Sequence, residues 1–157
     1  TTVTVAAFGE RALDIAASAD RMVLNMVTPE TAAKLAGRHA NTAVWLAAAV
    51  DPTPDERRWL TLGYVGYLAA PGYAEMFAAA GFDELVAFAR TRPHPKDLAA
   101  RIPDELLDAV ALVGTEAQVR RRIDEYAAAG ITEIGLVVPP LDLACGRPTM
   151  VALASER

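Results

Sequence analysis

Cysteine is almost absent from this 157-residue chain: Cys145 stands alone, so no internal disulfide can form and no cysteine-based zinc site can be assembled. Histidine is nearly as scarce. His39 and His94 are distant in sequence and neither lies at a metal-ligand spacing, which argues against a bound metal. Positive charge is not in excess: 15 Lys and Arg face 20 Asp and Glu, for a net charge of -5. The arginines are interleaved with acids, a balance that disfavours nucleic acid as a partner. No apolar run approaches the roughly 18 residues a membrane helix needs, and the first residues do not join a charged stretch to a hydrophobic one. These absences together lead to the expectation of a cytoplasmic protein with neither a membrane nor a nucleic-acid partner. No Ser/His/Asp grouping, paired-acid site or nucleophilic cysteine emerges, so covalent catalysis is disfavoured and no catalytic residue is assigned.

What the chain does have is alanine and aliphatic surface: 53% of residues are hydrophobic and only 6% aromatic. That suits one domain with close helix-on-sheet packing around small and branched side chains. Three apolar, strand-like runs each end in small and polar residues that open a helix: Val3 to Phe8 into Gly9-Glu10-Arg11, Arg21 to Leu24 into Asn25 to Glu30, and Ala43 to Val50 into Asp51-Pro52-Thr53-Pro54. A fourth run, Ile134 to Val138, closes with Pro139-Pro140. Strand, polar mouth and helix in repetition predict a parallel α/β sheet whose ligand sites lie beyond the carboxyl ends of its strands.

Local signals place the helices. Glu10 to Ser18 carries an apolar face on Ala12, Leu13, Ile15 and Ala16. Thr28 reads as an N-cap with Pro29 in the first turn, opening a helix that reaches about His39. Residues 55 to 110 hold only helical periodicities, broken at Pro71-Gly72, Gly81, Arg92-Pro93-His94-Pro95 and Ile102-Pro103, which predicts an insertion of four or five short helices. Thr115 and Gln118 fit a capping box, Gly130 ends the helix they open, and a last short helix runs from about Pro148 to Ser155. Four parallel strands with these helices make half of a closed eight-stranded barrel or a small open sheet. Half a barrel has two bare edges, so the expectation is pairing: a homodimer, or association with a missing N-terminal half-barrel.

Candidate site residues follow from the strand ends. The turn Phe8-Gly9-Glu10-Arg11 offers free backbone N–H groups, a helix dipole and a guanidinium to a phosphate, and is equally readable as an ordinary βα turn. Asn25 is placed either to hydrogen-bond a ring edge or to form a turn, while Thr28, a possible substrate contact, already serves as an N-cap. Asp51 stands at the third strand's mouth, although Asp before Pro also opens turns. Tyr64, Tyr67, Tyr73, Met76 and Phe77 either wall a flat ring or simply pack as core. His94 reads as a surface loop residue. Arg120, Arg121 and Arg122 read as a solvated helix face with Arg122 able to turn inward.

Four segments carry a resemblance: Ala6-Ala7-Phe8-Gly9-Glu10-Arg11-Ala12-Leu13, Ala19-Asp20-Arg21-Met22-Val23-Leu24-Asn25, Val113-Gly114-Thr115-Glu116-Ala117-Gln118-Val119, and Ala129-Gly130-Ile131-Thr132-Glu133-Ile134. In this order they resemble the C-terminal half of the luciferase-like monooxygenase superfamily, most closely its branch that uses the deazaflavin coenzyme F420. The resemblance implies an α/β fold, the C-terminal half of a (β/α)8 TIM-like barrel with about four parallel strands. Residues 1–157 then form a single half-barrel domain, with 55–110 as an all-helical insertion before the last strand. It implies hydride transfer between reduced F420 and a small organic substrate, with Phe8, Gly9, Glu10 and Arg11 on the coenzyme's phosphate-bearing tail, Asn25 at the pocket, and Thr28 and Asp51 toward the substrate. It implies also that the family's N-terminal half supplies much of the floor under the ring. Two alternatives stay open: an FMN-dependent monooxygenase of the same superfamily, and an inactive half-barrel that serves binding or dimerisation.

Overall fold

The computed structural model describes residues 1–140 and 146–154; Cys145 and the Ser155 end of the last predicted helix lie outside them. Strand β3 (Thr42–Val50) is the centre of the sheet. It pairs in parallel with β2 (Arg21–Asn25) through Thr42 to Trp45, and with β5 (Glu133–Val137) through Ala43 to Ala47, so the two flank it on opposite edges. β1 (Thr4–Ala6) pairs in parallel with β2 and completes four parallel strands, as the sequence predicts. Among the described residues β1 and β5 each have one strand neighbour, which leaves the two bare edges expected of half a barrel.

A fifth strand is new. β4 (Leu112–Gly114) pairs in parallel with the far end of β3, Ala48 to Val50. At three residues it is too short to show an alternating pattern, and it runs straight into a helix cap, which conceals it in the sequence.

The two sides of the sheet pack differently. On one, Val44, Leu46 and Ala48 of β3 join Met22 and Leu24 of β2 beneath the conventional crossover helices α1 (Glu10–Ala16), α2 (Pro29–Ala36) and α8 (Glu116–Ala128), through Leu13, Ala32, Val119 and Tyr126. On the other, Ala47 and Ala49 meet the insertion. The insertion consists of α3 (Pro54–Leu62), α4 (Tyr73–Phe77), a π-helical turn (Ala78–Phe82), α5 (Asp83–Arg90), α6 (Pro95–Ala99) and α7 (Asp104–Val110), and buries its own core of Leu60, Tyr64, Leu68, Phe77, Leu85 and Leu106. A short α9 (Arg147–Leu153) follows, its Thr149 Oγ1 accepting from the Val50 N–H at 3.0 Å.

Caps explain where these helices begin. Thr28 Oγ1 accepts from Thr31 N at 3.2 Å. Thr53 with Glu56 and Thr115 with Gln118 form reciprocal capping boxes, and Pro29 and Pro54 occupy first-turn positions where no N–H is needed. Gly130 takes φ +87° just past α8, a conformation that any side chain would strain. α2 stops at Ala36, short of the predicted His39, because the imidazole of His39 is drawn into bonds with the Asn41 backbone and Ala19 O, both at 2.9 Å. His94 is more than a loop residue: its ring nitrogen caps α6 by accepting from Lys96 N.

Candidate functional site at the strand mouths

Parallel pairing aligns side chains in rows across the sheet, and one row runs from the carboxyl ends of β1 and β2 into the middle of β3 and β5. Asn25 is opposite Trp45, and Trp45 is opposite Gly135. Continuing the β1–β2 register two residues past the pair Ala6 and Val23 sets Phe8 level with Asn25. Phe8, Asn25, Trp45 and Gly135 therefore form one layer, on the side away from the crossover helices, that meets the mouth at β1 and β2. The glycine is required by its neighbour: a Cβ at Gly135 would lie 2.5 Å from Trp45 Cδ1, so the indole lies across the β5 backbone. The next position on β3 is Ala47, again small. A barrel interior is ordinarily filled by bulky branched side chains; small residues beside one large ring leave room instead.

That room is a cavity of about 260 Å³. Its floor is Asn25, Met26, Trp45, Ala47 and Val137 from the sheet, and its roof is Trp59, Leu60, Gly63, Tyr64 and Tyr67 from α3 and the turn after it. Trp45 is 48% exposed and Val137 46%, unusually open for residues on parallel strands, which are normally covered on both faces. Backbone strain gathers at the strand ends. Met26 and Asp51, the residues immediately after β2 and β3, both take left-handed conformations, with φ of 51° and 47°. Such positions cost about 1–3 kcal/mol each and persist where the surrounding fold holds them.

The insertion supplies an aromatic shoulder. Tyr73 stacks on Phe8 with ring centroids 4.3 Å apart and an interplanar angle of 9°, and Tyr67 meets Tyr73 edge-on at 5.1 Å. Gly72 permits this contact, since a Cβ there would fall 2.8 Å from the Phe8 ring. Glu75 fixes the turn by accepting from Gly72 N at 2.6 Å and pairing with Arg90 at 2.9 Å. These bonds, led by those from the backbone amides, hold its carboxyl below the usual range. Tyr64 is buried with no hydrogen-bond partner for its hydroxyl among the described residues, and burial pushes its ionisation far above that of a free phenol. The aromatic group predicted as either wall or core thus divides: Met76 and Phe77 are buried core, Tyr64 is buried within the cavity roof, Tyr67 lines the cavity, and Tyr73 stacks on Phe8.

The predicted site residues also divide. Phe8 and Asn25 lie level at the ends of β1 and β2, and of the two Asn25 lines the cavity. Gly9 follows with φ +89° and open space around it, and the first-turn amides of Glu10 and Arg11 have no backbone acceptor among the described residues. The Glu10 carboxylate is held by Arg38 at 3.2 Å, and Arg11 is exposed with no ion pair among the described residues. Thr28 is buried in its capping role and lines a different cavity with Glu30, Lys34 and Met76. Asp51 donates its N–H to Gly114 O at 2.8 Å and is not among the residues lining the mouth cavity. Trp45, Trp59 and Gly135 were not singled out by sequence. The available signal was Trp45 itself, the one aromatic ring in β3, two residues before the small residues Ala47 to Ala49. Arg122 does turn inward, toward a cavity it shares with Arg57, Asp108 and Glu125.

No protein-family model and no curated protein matches the chain. Solved structures do. A coenzyme F420-dependent tetrahydromethanopterin reductase from Methanopyrus kandleri matches with a TM-score of 0.72 at 16% identity, over 97% of this chain and 49% of that one. An F420-dependent secondary alcohol dehydrogenase, solved in complex with an F420–acetone adduct, matches with a TM-score of 0.58 at 14% identity, over 99% of this chain and 49% of that one. The chain thus spans about half the length of the structures it matches, and has the fold of half of a (β/α)8 barrel.

Proposed function

We propose that this chain is the C-terminal half of a luciferase-like, deazaflavin-dependent oxidoreductase, which passes hydride between coenzyme F420 and a small organic substrate. The carrying observation is the layer of Phe8, Asn25, Trp45 and Gly135 across four parallel strands, opening into an aromatic cavity where such folds keep their ligands. The fold likeness to F420-dependent enzymes supports the choice of coenzyme.

The residues fit such a group. Gly9 leaves the backbone open to close approach, the free amides of Glu10 and Arg11 and the Arg11 guanidinium suit a phosphate, and Arg38 turns the Glu10 carboxylate aside. Phe8, backed by Tyr73, presents an aromatic wall, and the Asn25 carboxamide offers both a donor and an acceptor to a ring edge. Thr28 and Asp51 follow β2 and β3 outside the mouth cavity and would meet only a part of the substrate that extends past it. When bound, the coenzyme supplies the hydride chemistry; the chain orients both reactants and excludes water behind the Trp59–Tyr67 roof.

Titration with F420 and with FMN, followed by absorbance and fluorescence, tests the proposal. Saturable F420 binding supports it, preference for FMN moves the reading to a flavin enzyme, and binding of neither by a folded protein overturns it. The bare β1 and β5 edges carry a companion proposal, that the chain works as a homodimer or beside an N-terminal half-barrel. Light scattering after size exclusion checks it, and a stable monomer at high concentration counts against it.

A further inference from the structure

We infer that the mouth cavity takes the uncharged body of a ring-bearing substrate, a cyclic or aromatic compound with one carbonyl or hydroxyl and no ionised group in the part that enters. This takes the oxidoreductase reading as given, since only then is the compound a substrate and not simply a ligand. Four other cavities among the described residues are each lined by three or more charged side chains. The mouth cavity has none, in a chain of which 22% is charged.

Its polar atoms are neutral: the Asn25 carboxamide, the Tyr67 hydroxyl and the indole N–H groups of Trp45 and Trp59. Tyr64, on the same wall, is kept protonated by burial. A carboxylate or ammonium entering this space would give up part of its hydration and meet no counter-charge, which disfavours it. A flat ring meets four aromatic side chains, with Ala47 and Gly63 leaving it room. One carbonyl or hydroxyl on that ring finds a partner in the Asn25 amide.

The chain has two tryptophans, Trp45 and Trp59, and both line this cavity, so intrinsic fluorescence reports on it alone. The test uses three probes of one shape and different charge: benzamide, benzoate and benzamidine. Benzamide is expected to quench saturably and to bind at least tenfold more tightly than either ion, about 1.4 kcal/mol. Val137→Asp, at a half-exposed wall position, is expected to move the preference to benzamidine. If that variant loses its circular dichroism spectrum, Tyr67→Glu on the roof carries the same expectation.

Equal binding of benzoate and benzamide, or no saturable quenching by benzamide, overturns the inference. A parallel F420 titration keeps the two readings apart. Benzamide selectivity without F420 binding leaves the neutral cavity standing and removes the oxidoreductase; F420 binding without that selectivity does the reverse.

Discussion

The two faces of β3 show how one strand divides its work. Val44, Leu46 and Ala48 point into the crossover-helix core and are fully buried, while Trp45, between them, is 48% exposed and sits in the mouth cavity. The residues that secure the sheet and those that meet a ligand alternate along the same backbone, because successive side chains of a strand face opposite ways. Stability and recognition can therefore change almost independently within a few residues, provided the register is kept.

Truncation on the core side should have the largest effect on folding. Leu46→Ala leaves a void at the centre of the sheet and is expected to cost about 2–5 kcal/mol in urea unfolding, with ligand affinity of the folded protein nearly unchanged. Trp45→Ala should do the opposite, leaving the urea midpoint close to that of the parent while abolishing saturable binding. Equal stability losses for the pair would break the comparison.

Tyr126→Phe comes next. Its hydroxyl donates to Val27 O and ties α8 to the mouth of β2, so an unsatisfied buried carbonyl should cost about 1–3 kcal/mol by the same measurement. Gly135→Ala sharpens the contrast from the binding side. The new Cβ must displace the half-exposed indole, so benzamide affinity should fall several-fold while stability drops by about 1 kcal/mol or less, the cost of moving a side chain with room to yield.

The smallest effect concerns Glu75. Its carboxyl is held below the ordinary range, so its contribution to the Gly72 turn is present above the unfolded-state value of about 4.3 and is lost as the pH falls through the lower folded-state one. Melting temperature against pH should show a small acid-side decline that Glu75→Gln flattens. An unchanged profile in the variant would remove the carboxylate from that role.

Much of this architecture was legible in the sequence because its signals are local. The bounds of β2, the caps at Thr28 and Thr115, and the breaks at Pro71-Gly72 and Pro103 rest on chemistry within a few residues. β4 was missed because its partner lies some sixty residues away and its own three residues carry no period. The site was only half legible for the same reason. Phe8 and Asn25 stand at recognisable strand ends, but Trp45 meets Asn25 and Gly135 through register, and Trp59 and Tyr67 reach the cavity through the packing of the insertion. Nothing in the spacing of these residues announces that they share a wall.

The pairing of β3 with three partners also sets an order of assembly. β1, β2, α1, α2 and β3 lie within the first fifty residues and can associate as soon as they exist. The remaining edge of β3 must wait until the insertion and α8 have been made, since β4 begins at Leu112 and β5 at Glu133. During synthesis at about 5–20 residues per second, that edge and the indole of Trp45 stay uncovered for several seconds. This is the interval in which a nascent chain is most open to mispairing, and in which the insertion, with a core of its own, can fold first and shield it.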